Sequence, residues 1–472
     1  MRAAREPRAE MAPKFGTSGL RGLVTELTPE LVSAHVAAFL AACPSGTGLF
    51  VGRDLRPSSP ALAEVVADAA RRAGVPVTDC GAVPTPALAL AAMEAGAAAV
   101  MVTGSHIPAD RNGLKFYTPA GEIAKTDEAA ILAALGTARV AATPAPLAHC
   151  ATAGPAWVRR YVTAFGPGAL AGLRIGVWSH SAVSRDLLLE TVRALGGEAV
   201  ELGRSDTFIP VDTEAVPGWA RERIAGWTAG HGLDALISTD GDGDRPLLAD
   251  ARGAVIAGDV LGQITAALVG AETVVTPVSS NTGAEAGGRF ARVVRTRIGS
   301  PFVIAAMQQT GGRVVGYEAN GGFLLGFEAR MAGPLPALAT RDSLLPLVAP
   351  LSRARAVGGL AALVAAEPAR FTAADRLEEV PVERSAALVA ALGGDPAALG
   401  AFLAGLGEEP VATDRTDGLR VTCASGRIVH VRPSGNAPEL RLYAEAESDP
   451  AARLLLETGL SSLAARLKSR VG

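Results

Sequence analysis

The chain has 472 residues, more than one hydrophobic core organises, since single cores stop growing near roughly 250–300 residues; three or four domains are expected. Apolar residues make up 49% and charged residues 19%, a composition that folds rather than stays disordered. Lys plus Arg (44) nearly balances Asp plus Glu (47), the formal charge is −3 and aromatics are 4%, so no nucleic-acid or basic membrane footprint is present.

In chain order, residues 1–11, "MRAAREPRAEM", carry Arg and Glu without an apolar segment. That excludes a secretory signal and predicts a disordered tail, with Met11 a candidate start. "KFGTSGLRG" (14–22) holds Lys14 and Arg21 in a Gly-rich loop suited to phosphate. From Gly48, "GLFVGRDLRPSSPALAEVVADAARRAGVPVTDCG" reads as strand, polar loop, amphipathic helix and second strand. The same pattern recurs from Gly172, and a weaker copy begins at Thr273. Repeats of this size predict related α/β domains in series. From Gly418 the pattern changes to alternating apolar and polar residues around Ser425-Gly426 and Ser434-Gly435, an antiparallel sheet. A closing helix follows, with Asp449 as its expected N-cap. The expected boundaries give a tail (1–11), three α/β domains (12–149, 150–254, 255–370) and an α+β domain (371–472). No run reaches the roughly 18 apolar residues of a membrane span. Cys43, Cys80, Cys150 and Cys423 show no CxxC spacing and read as reduced, incidental thiols. The expected compartment is the cytoplasm.

Chemistry concentrates in four stretches. "VMVTGSHIPADRNGLKF" (100–116) ends an apolar strand at Thr103 and then presents Ser105, His106 and Lys115, a pattern suited to an activated serine. "LDALISTDGDGDRPLLAD" (233–250) places Asp240, Asp242 and Asp244 at alternate positions between two strands. Three carboxylates so close repel one another unless a cation sits among them, and hard oxygen ligands suit Mg²⁺ or Ca²⁺. An EF-hand is excluded because the sixth position is Arg245 and the twelfth Ala251. Arg245 can bind phosphate with its forked guanidinium. "GYEANGGF" (316–323) offers Glu318 and Asn320 for hydroxyl recognition on a sugar, and "RPSGNAPELRLY" (432–443) places Arg432, Ser434, Gly435 and Asn436 in a turn that can form an anion nest.

Taken together, these stretches resemble the α-D-phosphohexomutases, the phosphoglucomutase/phosphomannomutase superfamily. "FGTSGLRG" resembles the family's FGTxGxRG, "TGSHIPADRNGLK" its TASHNPxxxNGxK, "DGDGDR" its metal loop, "GYEANGG" its GExSG and "RPSGNAPELR" its RxSGTEPxxR. The resemblance implies four domains around one cleft. It implies a phosphoserine at Ser105 and one Mg²⁺ held by Asp240, Asp242, Asp244 and that phosphate. Arg21, His106, Lys115 and Arg245 would assist transfer, Glu318 and Asn320 would hold the sugar, and Arg432, Ser434, Gly435 and Asn436 would hold its phosphate. The implied reaction interconverts hexose 1-phosphate and hexose 6-phosphate (mannose or glucose) through hexose 1,6-bisphosphate, in a monomer or homodimer. The chain departs from the family pattern at Ile107, Asn320, Gly322, Asn436 and Ala437, which bears on sugar preference and on the general base. The alternatives are a phosphoglucosamine mutase, a metal-dependent sugar-phosphate phosphatase and a non-catalytic sugar-phosphate binder.

Overall fold

The computed structural model describes residues 13–16, 19–137, 143–434 and 438–469; the tail and Met11 lie outside them. Three α/β units follow one another, each built as strand, helix, strand, helix, strand, antiparallel strand. In the first, Leu49–Arg53 is flanked in parallel by Val77–Ala82 and Ala98–Val102, and Arg111–Thr118 runs antiparallel beside Ala98–Val102. In the second, Arg174–Trp178 lies between Glu198–Leu202 and Ala235–Thr239, with Pro246–Asp250 antiparallel outside. In the third, Thr273–Pro277 lies between Arg292–Thr296 and Val314–Tyr317, with Phe323–Leu325 antiparallel outside. The weak third copy in the sequence is therefore the same topological unit as the other two.

The strand order explains where the chemistry falls. The serine, acid and sugar stretches each occupy the connection from the third strand of a unit to its antiparallel fourth strand. They therefore share one position at the carboxyl end of a strand buried on both faces, the usual place for ligands in open α/β sheets. Ala98–Val102 (AAVMV) and Ala235–Thr239 (ALIST) are buried at every residue, as expected where helices cover both faces of a sheet.

Two additions matter for the site. Leu20–Leu23 pairs antiparallel with Arg111–Thr118, setting Arg21 opposite Gly113. Leu338–Asp342 pairs with Phe323–Leu325 and ends at Asp342, a buried carboxylate that accepts hydrogen bonds from Trp157 (3.0 Å) and Tyr161 on Ala153–Phe165, the helix that precedes the second unit's first strand. One apolar core runs through the first three units and contains Leu88, Trp157, Ile175 and Leu344.

The fourth unit is an antiparallel sheet, ordered Phe371–Leu377, Leu440–Ala446, Ile428–Pro433, Leu419–Cys423 and Pro410–Asp414. Its separate core includes Leu388 and Phe402 from its helices and Leu442 from the sheet. The closing helix spans Asp449–Ser469. Its cap is Ser448 rather than Asp449: the Ser448 hydroxyl accepts from the Ala451 N–H at 3.3 Å. Serine reaches back to the first turn as well as aspartate does. Among the described residues, no single helix is long and apolar enough to cross a membrane.

Candidate active site

Ser105 is fully buried and has a positive φ of 54°, a conformation a non-glycine residue keeps only when its surroundings enforce it. The enforcing group is Arg56. Its buried guanidinium donates to the carbonyls of Ser105 (2.9 Å), Ile107 (2.6 Å), Pro108 (2.6 Å) and Arg111 (2.8 Å). Asp54 balances its charge at 3.1 Å and also accepts from the hydroxyls of Ser59 (2.5 Å) and Thr103 (2.8 Å). The Thr103 hydroxyl in turn accepts from the Ser105 N–H at 2.8 Å. A Cβ on Gly104 would lie 2.6 Å from the guanidinium carbon, so glycine is required there. The sequence reading passed over Asp54 and Arg56. Their signal was "GRDLRPSS", charged residues placed directly after a buried strand.

The acid loop approaches from the second unit, and a Cβ on Gly241 would lie 2.7 Å from the Ser105 carbonyl oxygen. The Ser105 hydroxyl donates to Asp240 Oδ2 at 2.5 Å. Asp240, Asp242 and Asp244 are all fully buried, and each offers a carboxylate oxygen within 4.8 Å of the others. The loop is held by three units at once. Thr85 donates its N–H to the Asp242 carbonyl (2.9 Å) and its hydroxyl to Asp242 Oδ2 (2.6 Å). The N–H of Val183 donates to the Gly241 carbonyl (3.0 Å), and the Ser343 hydroxyl to the Gly243 carbonyl (2.7 Å).

Charge compensation is partial. Lys115 Nζ sits 2.5 Å from Asp242 and 2.6 Å from Asp244, and Arg341 pairs with Asp244 at 2.8 Å. Asp242 Oδ1 and Asp244 Oδ1 have no donor among the described residues. Buried carboxylate oxygens are expensive to leave unpaired, so the triad suits a metal ion. Burial and the charges of Asp242 and Asp244 hold the Asp240 carboxyl well above its ordinary range. Burial would also raise Asp242, but the Lys115 ammonium and the hydrogen bonds from Lys115 and Thr85 outweigh it and pull that carboxyl down.

His106 lies 3.2 Å from the serine hydroxyl through Nδ1, which accepts from Arg245 at 3.0 Å. Burial, then the charges of Arg245 and Arg21, push its pKa well below 6.5, so the ring is neutral. Burial, with Arg245 and Arg341 nearby, likewise lowers Arg21 to about 10. Lys14, from the same motif, is exposed on the outermost strand.

The sugar stretch is a tight loop. Gly322 N–H donates to Asn320 Oδ1 (3.0 Å) and Gly321 N–H to the Glu318 carbonyl (2.9 Å). The Thr213 hydroxyl donates to the Asn320 carbonyl (2.8 Å), tying the loop to the second unit. Arg341, absent from the sequence reading, joins the stretches: it lies 2.8 Å from Asp244, 3.5 Å from Glu318 and 3.7 Å from Glu122.

Of these groups, Arg21, His106, Arg245, Glu318, Asn320 and Arg341 line a cleft of about 560 Å³ walled by all four units, with the buried serine and triad behind them. Seven arginines line it against four carboxylates (Asp212, Glu214, Glu318 and Asp375), so the cleft favours anions. The fourth wall differs from expectation. Its arginines are Arg376, Arg441 and Arg453, not Arg432. Arg432 is drawn to Asp417 at 3.4 Å, a carboxylate that also accepts from the Ile298 N–H at 3.0 Å. Ser434 is buried, its N–H donating to the Glu439 carbonyl at 2.9 Å. Gly435 and Asn436 lie outside the described residues.

Three family models match the chain: phosphoglucomutase/phosphomannomutase, alpha/beta/alpha domain I, over residues 12–140; alpha/beta/alpha domain III over 249–371; and the C-terminal domain over 373–458. A phosphomannomutase from Sinorhizobium fredii (strain NBRC 101917 / NGR234) is 45% identical over 96% of this chain and 99% of its own. A phosphomannomutase from Salmonella muenchen is 41% identical over 96% of each. A phosphoglucomutase/phosphomannomutase family protein from Burkholderia thailandensis shares the fold, with a TM-score of 0.76 at 22% identity over 95% of this chain and 97% of its own. The chain belongs to the phosphoglucomutase/phosphomannomutase family of the α-D-phosphohexomutase superfamily and is an isomerase of that kind.

Proposed function

We propose that this phosphohexomutase interconverts hexose 1-phosphate and hexose 6-phosphate, with mannose or glucose as the sugar, through a phosphoserine at Ser105 and a hexose 1,6-bisphosphate. The observation that carries this reading is the serine hydroxyl 2.5 Å from Asp240 in a buried acidic triad, directly behind His106 and Arg245, which line an arginine-rich cleft.

Phosphoryl transfer needs charge neutralisation and in-line placement more than covalent assistance. Asp240, Asp242 and Asp244 would hold Mg²⁺, which supplies that neutralisation beside the phosphoserine. Lys115, on Asp242 and Asp244, and Arg245, on His106, add positive charge near the serine, and Arg21 lines the cleft. His106, neutral and with Nδ1 occupied by Arg245, orients the serine rather than adding charge. Arg56 fixes the serine loop so that little reorganisation is needed at transfer. Glu318 accepts from sugar hydroxyls, and Asn320, whose Oδ1 is engaged by Gly322, presents its amide as a donor. The substrate's distal phosphate docks on the fourth unit, at Arg432, Ser434, Gly435 and Asn436, with Arg441 opposite Arg432 on the neighbouring strand. The first transfer breaks the bond from phosphorus to Ser105 Oγ and forms one to the free sugar hydroxyl. The bisphosphate turns over within the cleft, and the reverse transfer from its other end restores the phosphoserine.

The test is an isomerisation assay on mannose 1-phosphate, glucose 1-phosphate and glucosamine 1-phosphate in parallel, primed with hexose 1,6-bisphosphate. Free phosphate is measured in the same reactions. Preferred turnover of mannose or glucose phosphate without phosphate release supports the reading. Preference for the glucosamine substrate, or release of phosphate in place of isomer, overturns it.

A further inference from the structure

Outside the cleft, two of the four cysteines meet. Val77–Ala82 and Leu147–His149 pair in parallel, with Asp79 opposite His149. The Cys150 N–H donates to the Asp79 carbonyl at 2.8 Å, which continues the ladder by one residue and sets Cys150 directly opposite Cys80. Successive side chains alternate faces: His149 and Asp79 approach on one face, 3.5 Å apart, and the two cysteines share the other. The two thiols are close enough for each to shift the other's ionisation. Both are half-buried free thiols, whereas Cys43 and Cys423 are buried. Neighbouring in-register Cα positions fall within the span a disulfide bridges.

We infer that Cys80 and Cys150 are a reversible thiol–disulfide pair, oxidised by peroxides and reduced by dithiols. Cys150 is the attacking group. It lies just before the helix Ala153–Phe165, and its sulfur lies 3.4 Å from the Thr152 hydroxyl. Burial would raise its pKa, but the Thr152 hydroxyl, the N–H groups of Thr152 and Ala153 and the Cys80 thiol outweigh burial and lower it, the pattern of a reactive cysteine at a helix start. Burial, then Cys150, raises Cys80, which makes it the resolving thiol. In the first step the Cys150 thiolate attacks hydrogen peroxide, the O–O bond breaks, and a sulfenic acid and hydroxide form. In the second, the Cys80 sulfur attacks the Cys150 sulfur, the S–S bond forms, the S–O bond breaks, and the oxygen leaves as water with the Cys80 proton. Two thiols lose two electrons and peroxide becomes two waters.

The bond would join the last strand of the first unit's sheet, through Cys150, to the second strand, whose continuation five residues on is Thr85, the donor to Asp242. Cys43 and Cys423 are unsuited to the reaction: burial pushes their thiols up to about 11 and about 12.

The experiment treats the full chain with a small excess of hydrogen peroxide, blocks the remaining thiols and maps the peptides by mass. The expected product is one intramolecular cross-linked peptide containing Cys80 and Cys150, about 2 Da lighter than the sum of its thiol forms and restored by a dithiol. Cys43 and Cys423 stay alkylatable. Cys150→Ser slows loss of the Cys80 thiol at least about tenfold, and Cys80→Ser lets Cys150 advance to the sulfinic acid. Recovery of Cys80 and Cys150 as separately alkylated thiols after treatment, or a cross-link to a different cysteine, overturns the inference without reference to either variant.

Discussion

The serine loop and the acid loop occupy the same place in successive copies of one unit, yet they are held in opposite ways. The serine loop is shaped from within its own unit. Arg56, paired with Asp54, satisfies four of its carbonyls and leaves no charge uncompensated. The acid loop is positioned by Thr85 from the first unit, Val183 from the second and Ser343 from the third, and two of its carboxylate oxygens remain without donors among the described residues. One loop is finished by its own sequence, and the other is held by its neighbours and leaves oxygens that suit a cation. A rigid serine facing an electrostatically incomplete acid loop suits a site that gathers charge on binding.

Four measurements break or sharpen this contrast, the largest expected effect first. Ser105→Ala should cut turnover by about 10⁴-fold or more, the scale for losing a covalent nucleophile, with an unchanged unfolding midpoint; ordinary turnover would remove the serine from the chemistry. Arg56→Met strands the buried Asp54 carboxylate and should destabilise the protein by about 3–5 kcal/mol in denaturant unfolding. The double variant with Asp54→Asn should recover part of that loss, because it removes the stranded charge.

The third concerns pH. His180 is fully buried behind the acid loop, with Nε2 2.9 Å from the Thr239 carbonyl, and burial lowers its pKa from 6.5 to about 4. A depressed folded pKa means the unfolded chain binds the proton first. Stability from this group is therefore full above pH 6.5 and is lost as pH falls toward about 4, by roughly 3 kcal/mol. His180→Gln should flatten that part of the profile; parallel wild-type and variant profiles would dissociate His180 from it. Arg56 cannot titrate in this range, so any such dependence of the serine loop falls to His106, whose pKa burial also lowers. The smallest effect is metal linkage. Mg²⁺ at 100 times its Kd should stabilise the wild type by about 2.7 kcal/mol, a shift seen in calorimetry and abolished by a chelator or by Asp244→Asn. A shift that survives in Asp244→Asn would place the ion elsewhere.

Legibility in the sequence followed the range of the interactions. Ser105 and the Asp240–Asp244 triad stood out because each follows a buried strand at once and concentrates reactive groups within a few residues. The repeat was visible for the same reason, since strand, helix and strand carry their own periodicities. Arg56 was present in the sequence but ordinary there; only the fold brings four carbonyls around it. Arg341 sits in a plain "ATRDS" stretch, and nothing local marks its approach to Asp244 and Glu318, which lie in separate loops. Arg432 was marked by its turn alone, and the turn gave no sign that its guanidinium lies 3.4 Å from Asp417.

By itself, then, the sequence determined the repeated strand–helix–strand units, the antiparallel final sheet and the positions of the candidate serine and the acid cluster. These depend on hydrophobic period, turn residues and short spacings, all of which act over a few residues. Tertiary structure decided which charges meet. It set Lys115 on Asp242 and Asp244, Arg341 between the acid and sugar loops, and Cys150 opposite Cys80, because electrostatic and sheet contacts depend on distance in space and are indifferent to separation along the chain.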